Sequence, residues 1–415
     1  MDVQAFVGQI QTSRGDLAAA AIEIGGDLIS RVEFIDDRDD HLMIVPGFID
    51  VHNHGAVGID VNEADVDGLM KIAGFLAGRG VTAWMPTLVP DSDENYERVI
   101  AAIDELMIVQ EGKPVAQAVG VHYEGVFANE KMCGALRPEY FKSGRSAVGG
   151  GRREMQKPAR EQGLYADAAE RTTPSAQSGG HPSFVRRGVA GLPMLKCGVH
   201  MTTLAPEVEG GIEIIEALVA DGWVVSIGHT RADLGTLDRA YAAGARHMTH
   251  FFNAMTGVHH RDVGVAGWGL ANDGVTFDII ADGIHVHPEM LGVACRAKST
   301  DKVSLISDSV APTGLGDGKF RLWGETITVE NGRTRNERGS IAGSVIAMDD
   351  AVRMMLSIGF SRNDVFKMAS TNPAILLGLD DERGSLDAGK RADFVALDAE
   401  GKIAFTVIGG ERVPQ

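Results

Sequence analysis

The sequence predicts an α/β protein: a (β/α)8 TIM-type barrel carrying a small β-sandwich built from both termini. Three observations lead there. Short β-rich runs bounded by turn residues alternate with stretches of helical period, the two ends of the chain lack that alternation, and histidines and carboxylates fall where the β-rich runs stop. Eight runs read as strands, at 48–54, 82–89, 119–125, 199–207, 223–230, 247–254, 276–282 and 303–309. Between several of them the apolar residues return every three or four positions, predicting helices at 66–76, 96–107, 211–219 and 234–243. Eight strands alternating with helices over about 260 residues suit a closed barrel, with a doubly wound sheet as the alternative.

The ends carry short strand patterns at 20–24, 394–397 and 405–408, so residues 1–45 and 385–415 are expected to pair into the sandwich. Residues 46–384 then form the barrel domain. Within it, 142–190 is rich in Gly, Ser, Arg and Ala, with nine basic against four acidic residues. It reads as a flexible surface insertion between the third and fourth strands, with a lid or partner-binding loop as the other reading.

Composition narrows the function classes. The 415 residues are 44% hydrophobic and carry a formal net charge of -18. That content can fill a core, and that charge disfavours broad binding to nucleic acid or an anionic membrane. Cys133, Cys197 and Cys295 are widely spaced, so neither a disulfide framework nor a thiolate metal site is indicated. With no signal-peptide pattern and no apolar run near 18 residues, a soluble cytoplasmic protein is expected.

The chemistry lies at the strand ends. His52 and His54 close the first run, Glu124 the third, His229 the fifth, His250 the sixth and Asp308 the eighth. Residues two apart on a strand share a face, so His52 and His54 point the same way. Barrel enzymes place their active sites at the C-terminal mouth, where these six side chains would converge. Imidazole and carboxylate donors suit one or two divalent ions, with zinc first and iron, manganese or cobalt as alternatives. Such a metal lowers the pKa of bound water to about 7. Asp308 is the remaining carboxylate, able to take a proton from that water and pass it to a leaving amine. His122 shares a face with Glu124 but sits one layer deeper, and reads as packing rather than ligation.

Several stretches carry a family resemblance: Pro46-Gly-Phe-Ile-Asp-Val-His-Asn-His54, His122-Tyr-Glu-Gly125, Leu204-Ala-Pro-Glu207, Gly228-His-Thr230, His250-Phe-Phe-Asn-Ala-Met255, Ala281-Asp-Gly-Ile-His285 and Ser307-Asp308. Together they resemble the amidohydrolase superfamily, and within it the deacetylases of N-acetylamino-sugar phosphates. The resemblance implies hydrolysis of an acetamide, with N-acetylglucosamine 6-phosphate the foremost substrate. By the same resemblance Glu124, His229 and His250 are the principal metal ligands and His52 and His54 the second pair. It makes Asp308 the catalytic acid/base, His285 a substrate-binding histidine, and Asn253 and Ala254 the phosphate contacts. Arg261 matches an arginine that reaches the phosphate from a neighbouring subunit, which implies a homodimer.

Two departures stand out. Val126 follows Glu124-Gly125 where the family usually has proline, and Leu136 follows Cys133-Gly-Ala135 where a sugar-contacting histidine is usual. Leucine cannot replace the histidine's hydrogen bonds, which leaves the exact sugar open. A deacylase of another N-acyl substrate, such as an N-acyl amino acid, is the second reading. Cyclic amidases are disfavoured because 199–207 holds no lysine to bridge two metals. A catalytically silent assembly protein is the third reading, and retention of every ligand speaks against it.

Overall fold

The computed structural model describes residues 4–11, 17–35, 42–142 and 188–414. Eight parallel strands run around a nearly closed barrel: Phe48–Asn53, Val81–Leu88, Gly120–Phe127, Val199–Leu204, Val224–Ile227, His247–Met248, Thr276–Ile280 and Val303–Ile306. Neighbours pair in sequence order, and Gln117–Ala118 adds a short strand beside the second. The seam between the eighth and first strands closes just past the strand ends. There Asp308 N donates to His52 O at 3.0 Å and His54 N to Ser309 O at 2.8 Å.

Helices pack outside the strands. Val66–Gly78 buries Leu69, Ile72, Ala73 and Leu76, one face at helical spacing, and its first turn is capped by Asp65, which accepts from Gly68 N at 2.8 Å. The other three expected helices form as Asp93–Val109, Gly211–Ala220 and Leu234–Ala243. Inside the barrel, Ile49, Val51, Ala83, Met85, Met201, Ile280 and Ile306 form an apolar plug, together with Ala374 and Leu377 of the helix Asn372–Leu377. This layer excludes water from one end and leaves the polar groups to the other.

The termini share one seven-stranded sheet. In spatial order its strands are Glu411–Arg412, Ile403–Ile408, Phe394–Leu397, Met43–Pro46, Gln4–Gln11, Leu17–Gly25 and Leu28–Phe34. Its core is Ile10, Ile22, Ile24, Ile29, Ile44, Phe394 and Val407. The chain leaves this sheet for the barrel at Gly47, where any Cβ would collide with the Thr82 side chain. The 142–190 insertion lies outside the described residues except at its two edges.

Two features differ from the sequence expectation. The fifth and sixth strands were expected to run to 230 and 254, but they stop at Ile227 and Met248. Beyond those points His229, His250, Phe252 and Ala254 adopt positive φ, at 47°, 34°, 77° and 48°, which no strand accommodates. The second difference is a three-stranded antiparallel sheet after the eighth strand, Gly318–Leu322, Glu325–Glu330 and Arg333–Arg335, which overhangs the barrel mouth.

Candidate active site

Six side chains from five strand ends meet at the C-terminal mouth, all nearly inaccessible to solvent: His52, His54, Glu124, His229, His250 and Asp308. Glu124 sits between two groups. Its Oε1 lies 3.1 Å from His229 Nε2 and 2.9 Å from His250 Nε2, while Oε2 lies 3.2 Å from His54 Nε2. Asp308 Oδ1 approaches His52 Nε2 at 3.5 Å and His54 Nε2 at 3.4 Å. Two donor sets of metal-binding geometry result, His52/His54/Glu124 and Glu124/His229/His250, with Glu124 common to both.

The surrounding backbone sets the histidine tautomers. His54 Nδ1 lies 3.2 Å from Thr87 O and His229 Nδ1 lies 2.7 Å from Met132 O. A carbonyl can only accept, so each Nδ1 carries the proton and each Nε2 of the neutral ring turns a lone pair to the centre. The positive φ at His229, His250 and Asp308 is what turns these side chains inward from the strand ends. Asp278, fully buried, fastens the sixth strand by accepting from His250 N, and lies 3.0 Å from His247 Nε2. Asp50 does the same at the seam. Its Oδ2 accepts from Ser307 Oγ at 2.6 Å and Asn53 Nδ2 at 3.1 Å, tying the strand of His52 to the loop of Asp308.

The electrostatics ask for positive charge. Burial opposes protonation of His54, yet the carboxylates of Asp308 and Glu124 outweigh it and push the imidazole up to about 10. Burial likewise opposes charge on His250, and Glu124 raises it to about 9. Against the cost of their own burial, Glu124 is held well below the usual carboxylate range by His52, His229 and His250, and Asp308 is held low by His52 and His54. Charge that protons would supply here is charge a divalent cation can supply with the same donors. Four imidazoles and a shared carboxylate, buried and pre-oriented, fit such an ion.

His122 is buried, 2.7 Å from Thr203 Oγ1 through Nε2, with its ring 4.7 Å from that of His52. Burial drives its pKa well down, so it packs as a neutral ring and belongs to neither donor set.

Above the six residues opens a cavity of about 560 Å³. Asn253, Ala254 and His285 line it together with His54, Glu124, His229, His250 and Asp308. His285 Nδ1 is fixed 2.6 Å from Asp282 Oδ2, while Asn253 Nδ2 donates to His250 O at 3.2 Å. Arg261 is placed elsewhere: it is exposed, 2.7 Å from His260 Nε2 through Nη1, and is not among the residues lining the cavity. Leu136 also borders the cavity, packed in an apolar cluster with Val89, Ala128, Val310, Ala311 and Trp323 and 3% exposed.

Sequence reasoning missed part of the wall. Trp323, from the extra sheet, meets the His54 ring edge-on at 5.4 Å, and Arg338 and Ser340 follow it along the cavity. No residue spacing marks them, because their place depends on how a loop folds back over the mouth. Glu207 was quoted only as part of a motif. From the loop after the fourth strand it pins the loops after the third and fifth strands, accepting from Asn129 Nδ2 at 2.8 Å and Arg231 N at 2.7 Å.

A parallel barrel with two metal-binding donor sets sharing one glutamate, and a carboxylate poised beside them, has the frame of a metal-dependent hydrolase. The amidohydrolase family model matches residues 205–413. The chain is 31% identical over 378 residues to the N-acetylglucosamine-6-phosphate deacetylase of Bacillus subtilis (strain 168), covering 89% of this chain and 84% of that one. It is 32% identical over 396 residues to the N-acetylgalactosamine-6-phosphate deacetylase of Escherichia coli O157:H7, covering 94% of each. Its fold matches that of a mutant Mycobacterium smegmatis N-acetyl-D-glucosamine-6-phosphate deacetylase in complex with N-acetyl-D-glucosamine-6-phosphate, at TM-score 0.80, 26% identity and full coverage of both chains. The chain belongs to the amidohydrolase family. No helix among its described residues is long and apolar enough to cross a membrane.

Proposed function

We propose that this chain deacetylates an N-acetylamino-sugar 6-phosphate, N-acetylglucosamine 6-phosphate first, releasing acetate and the free amine. One observation carries the reading: Glu124 bridges two histidine pairs while Asp308 stands 3.4 Å from His54 on the cavity side. Zinc is the ion best suited to these donors, held principally by Glu124, His229 and His250, with His52 and His54 able to hold a second. Bound metal supplies Lewis acidity, bringing water toward a pKa of about 7 and polarising the acetamide carbonyl.

The chain's own groups do the rest. Asp308, held ionised by its histidine neighbours, accepts the proton of the attacking water and returns it to the departing nitrogen. His285, fixed by Asp282, presents Nε2 to the substrate and orients the acetamide end. Asn253 and Ala254 border the place of the phosphate. The apolar barrel plug and the Trp323 overhang restrict bulk water around the reacting atoms. Arg261 stands exposed outside its own cavity, which suits a homodimer in which it reaches the partner's phosphate.

N-acetylgalactosamine 6-phosphate is the second reading, supported by the comparable identity to a deacetylase of that sugar. Acetate release should be measured with defined metal on both phosphosugars and on unphosphorylated N-acetylglucosamine. Strong preference for one phosphosugar is the expected result. Equal turnover of the unphosphorylated sugar would sink the phosphate roles of Asn253, Ala254 and Arg261.

A further inference from the structure

A sugar 6-phosphate brings nearly two negative charges into a protein of formal net charge -18, beside the carboxylates Glu124 and Asp308. Such a ligand needs fixed positive charge at the far end of its cavity from those carboxylates. Asn253 and Ala254 carry none, and Arg261 of the same chain does not reach the cavity. Among the described lining residues the lysines and arginines are two, Lys131 and Arg338, and both belong to one wall.

Arg338 is held in place. It sits in a tight turn in which Asn336 N donates to Ser340 O and Ser340 N to Asn336 Oδ1, each at 2.9 Å, with Gly339 at φ 83°. Its Nη2 donates to Ala135 O at 3.1 Å and to Leu136 O at 3.4 Å, and its Nε pairs with Glu325 Oε1 at 3.0 Å. The guanidinium is therefore anchored to the very segment where leucine stands in place of a hydrogen-bonding side chain. Leu136 itself faces the apolar cluster and offers the cavity no donor. Nη1 takes no part in these contacts, and the side chain keeps 41% of its surface open.

We propose that Arg338 binds the substrate's phosphate from within the same subunit, supplying the positive charge that Asn253 and Ala254 lack. This rests on the sugar-phosphate reading above. Nη1 donates to a phosphate oxygen while Nη2 and Nε keep the guanidinium aimed by their protein contacts. Lys131 adds long-range attraction from the same wall. Arg is suited to the task because its charge is permanent and its planar fork can hold protein and ligand together.

The test compares wild type, Arg338→Ala, Arg338→Gln and Arg261→Ala on N-acetylglucosamine 6-phosphate and on unphosphorylated N-acetylglucosamine. Arg338→Ala should cut the preference for the phosphorylated sugar by about 10- to 100-fold, expressed in KM, as expected for a lost charged hydrogen bond. Arg338→Gln keeps much of the packing and should lose the same preference, which covers failure of the alanine variant to fold. Competitive inhibition by inorganic phosphate should weaken in parallel. A preference unchanged by either Arg338 substitution overturns the proposal, whatever Arg261→Ala does from the partner's side. So does an equal loss on both sugars, which would make Arg338 a brace for the Ala135–Leu136 segment. A wild type that shows no phosphate preference instead overturns the sugar-phosphate reading itself, and this inference with it.

Discussion

The floor and the wall of the cavity are built by opposite means. The floor takes its six polar residues from strand ends, buries them, fixes the rings of His54 and His229 on main-chain carbonyls, and ties down the backbone around His52, His250 and Asp308 through the buried carboxylates Asp50 and Asp278. The wall comes from loops: the 130–137 segment, the turn around Arg338 and the overhang carrying Trp323. Rigid strands can hold donor atoms to a few tenths of an ångström, as ligation and proton transfer require. Loops tolerate exchange of side chains, and that is where Leu136 departs from the family pattern. Reaction type is thus a property of the floor and substrate identity a property of the wall.

Breaking the shared point of the floor should have the largest effect. Glu124→Ala removes a donor common to both sets, and metal content and turnover should fall together to background, checked by elemental analysis beside the acetate assay. Metal uptake by wild type should also be proton-coupled. His54 at about 10 and His250 at about 9 are protonated in the empty site near neutrality, so binding must expel those protons. Apparent affinity should rise with pH until it passes those values, and calorimetry in buffers of different ionisation enthalpy would count the protons released. A pH-independent affinity between 6 and 9 on a roughly tenfold-per-unit scale would contradict this.

Asp308→Asn sharpens the same side of the comparison. Turnover should drop by about 10²- to 10⁴-fold with metal content near wild type, since a proton carrier is lost and no principal ligand. Near-normal turnover with metal bound would remove Asp308 from the proton path. Smaller again is Asp278→Asn, behind the proposed ligand His250, where about 10- to 100-fold in metal affinity or activity is expected. The smallest effect on turnover falls on the wall. Leu136→Ala should cost about 2–5 kcal/mol of stability, read from a denaturation curve, because its side chain packs as core. A loss of turnover larger than that of Asp278→Asn, with stability unchanged, would mean that position 136 acts on the substrate instead.

Much of the floor was legible because chemistry and period coincide there. His52 and His54 share a face by strand alternation, and six ligand-type residues at five strand ends have one common destination in a barrel. The strand limits were less legible. The run from His247 to Ala254 has the β-rich composition of a strand, yet only His247–Met248 pairs as one. What bends the rest is tertiary: Phe251 N donates to Asp278 O at 2.8 Å, and Thr230 N donates to Ala254 O at 3.1 Å, with three residues at positive φ between Thr249 and Met255. The sheet at 318–335 went unread because a short antiparallel excursion inside an alternating β/α chain carries no period of its own.

The amino-acid order by itself determined the alternation of eight strands with helices, the strand patterns of the two ends and the set of ionisable groups near the strand ends, since each is written in local period or residue type. Only the tertiary structure decided which of those groups touch. Glu124 and His250 are 126 residues apart and meet at 2.9 Å. Arg338 reaches Ala135 across 203 positions. Such contacts follow from closure of the sheet and the folding back of loops, which distribute burial and charge over the whole chain at once and leave no trace in any window of sequence.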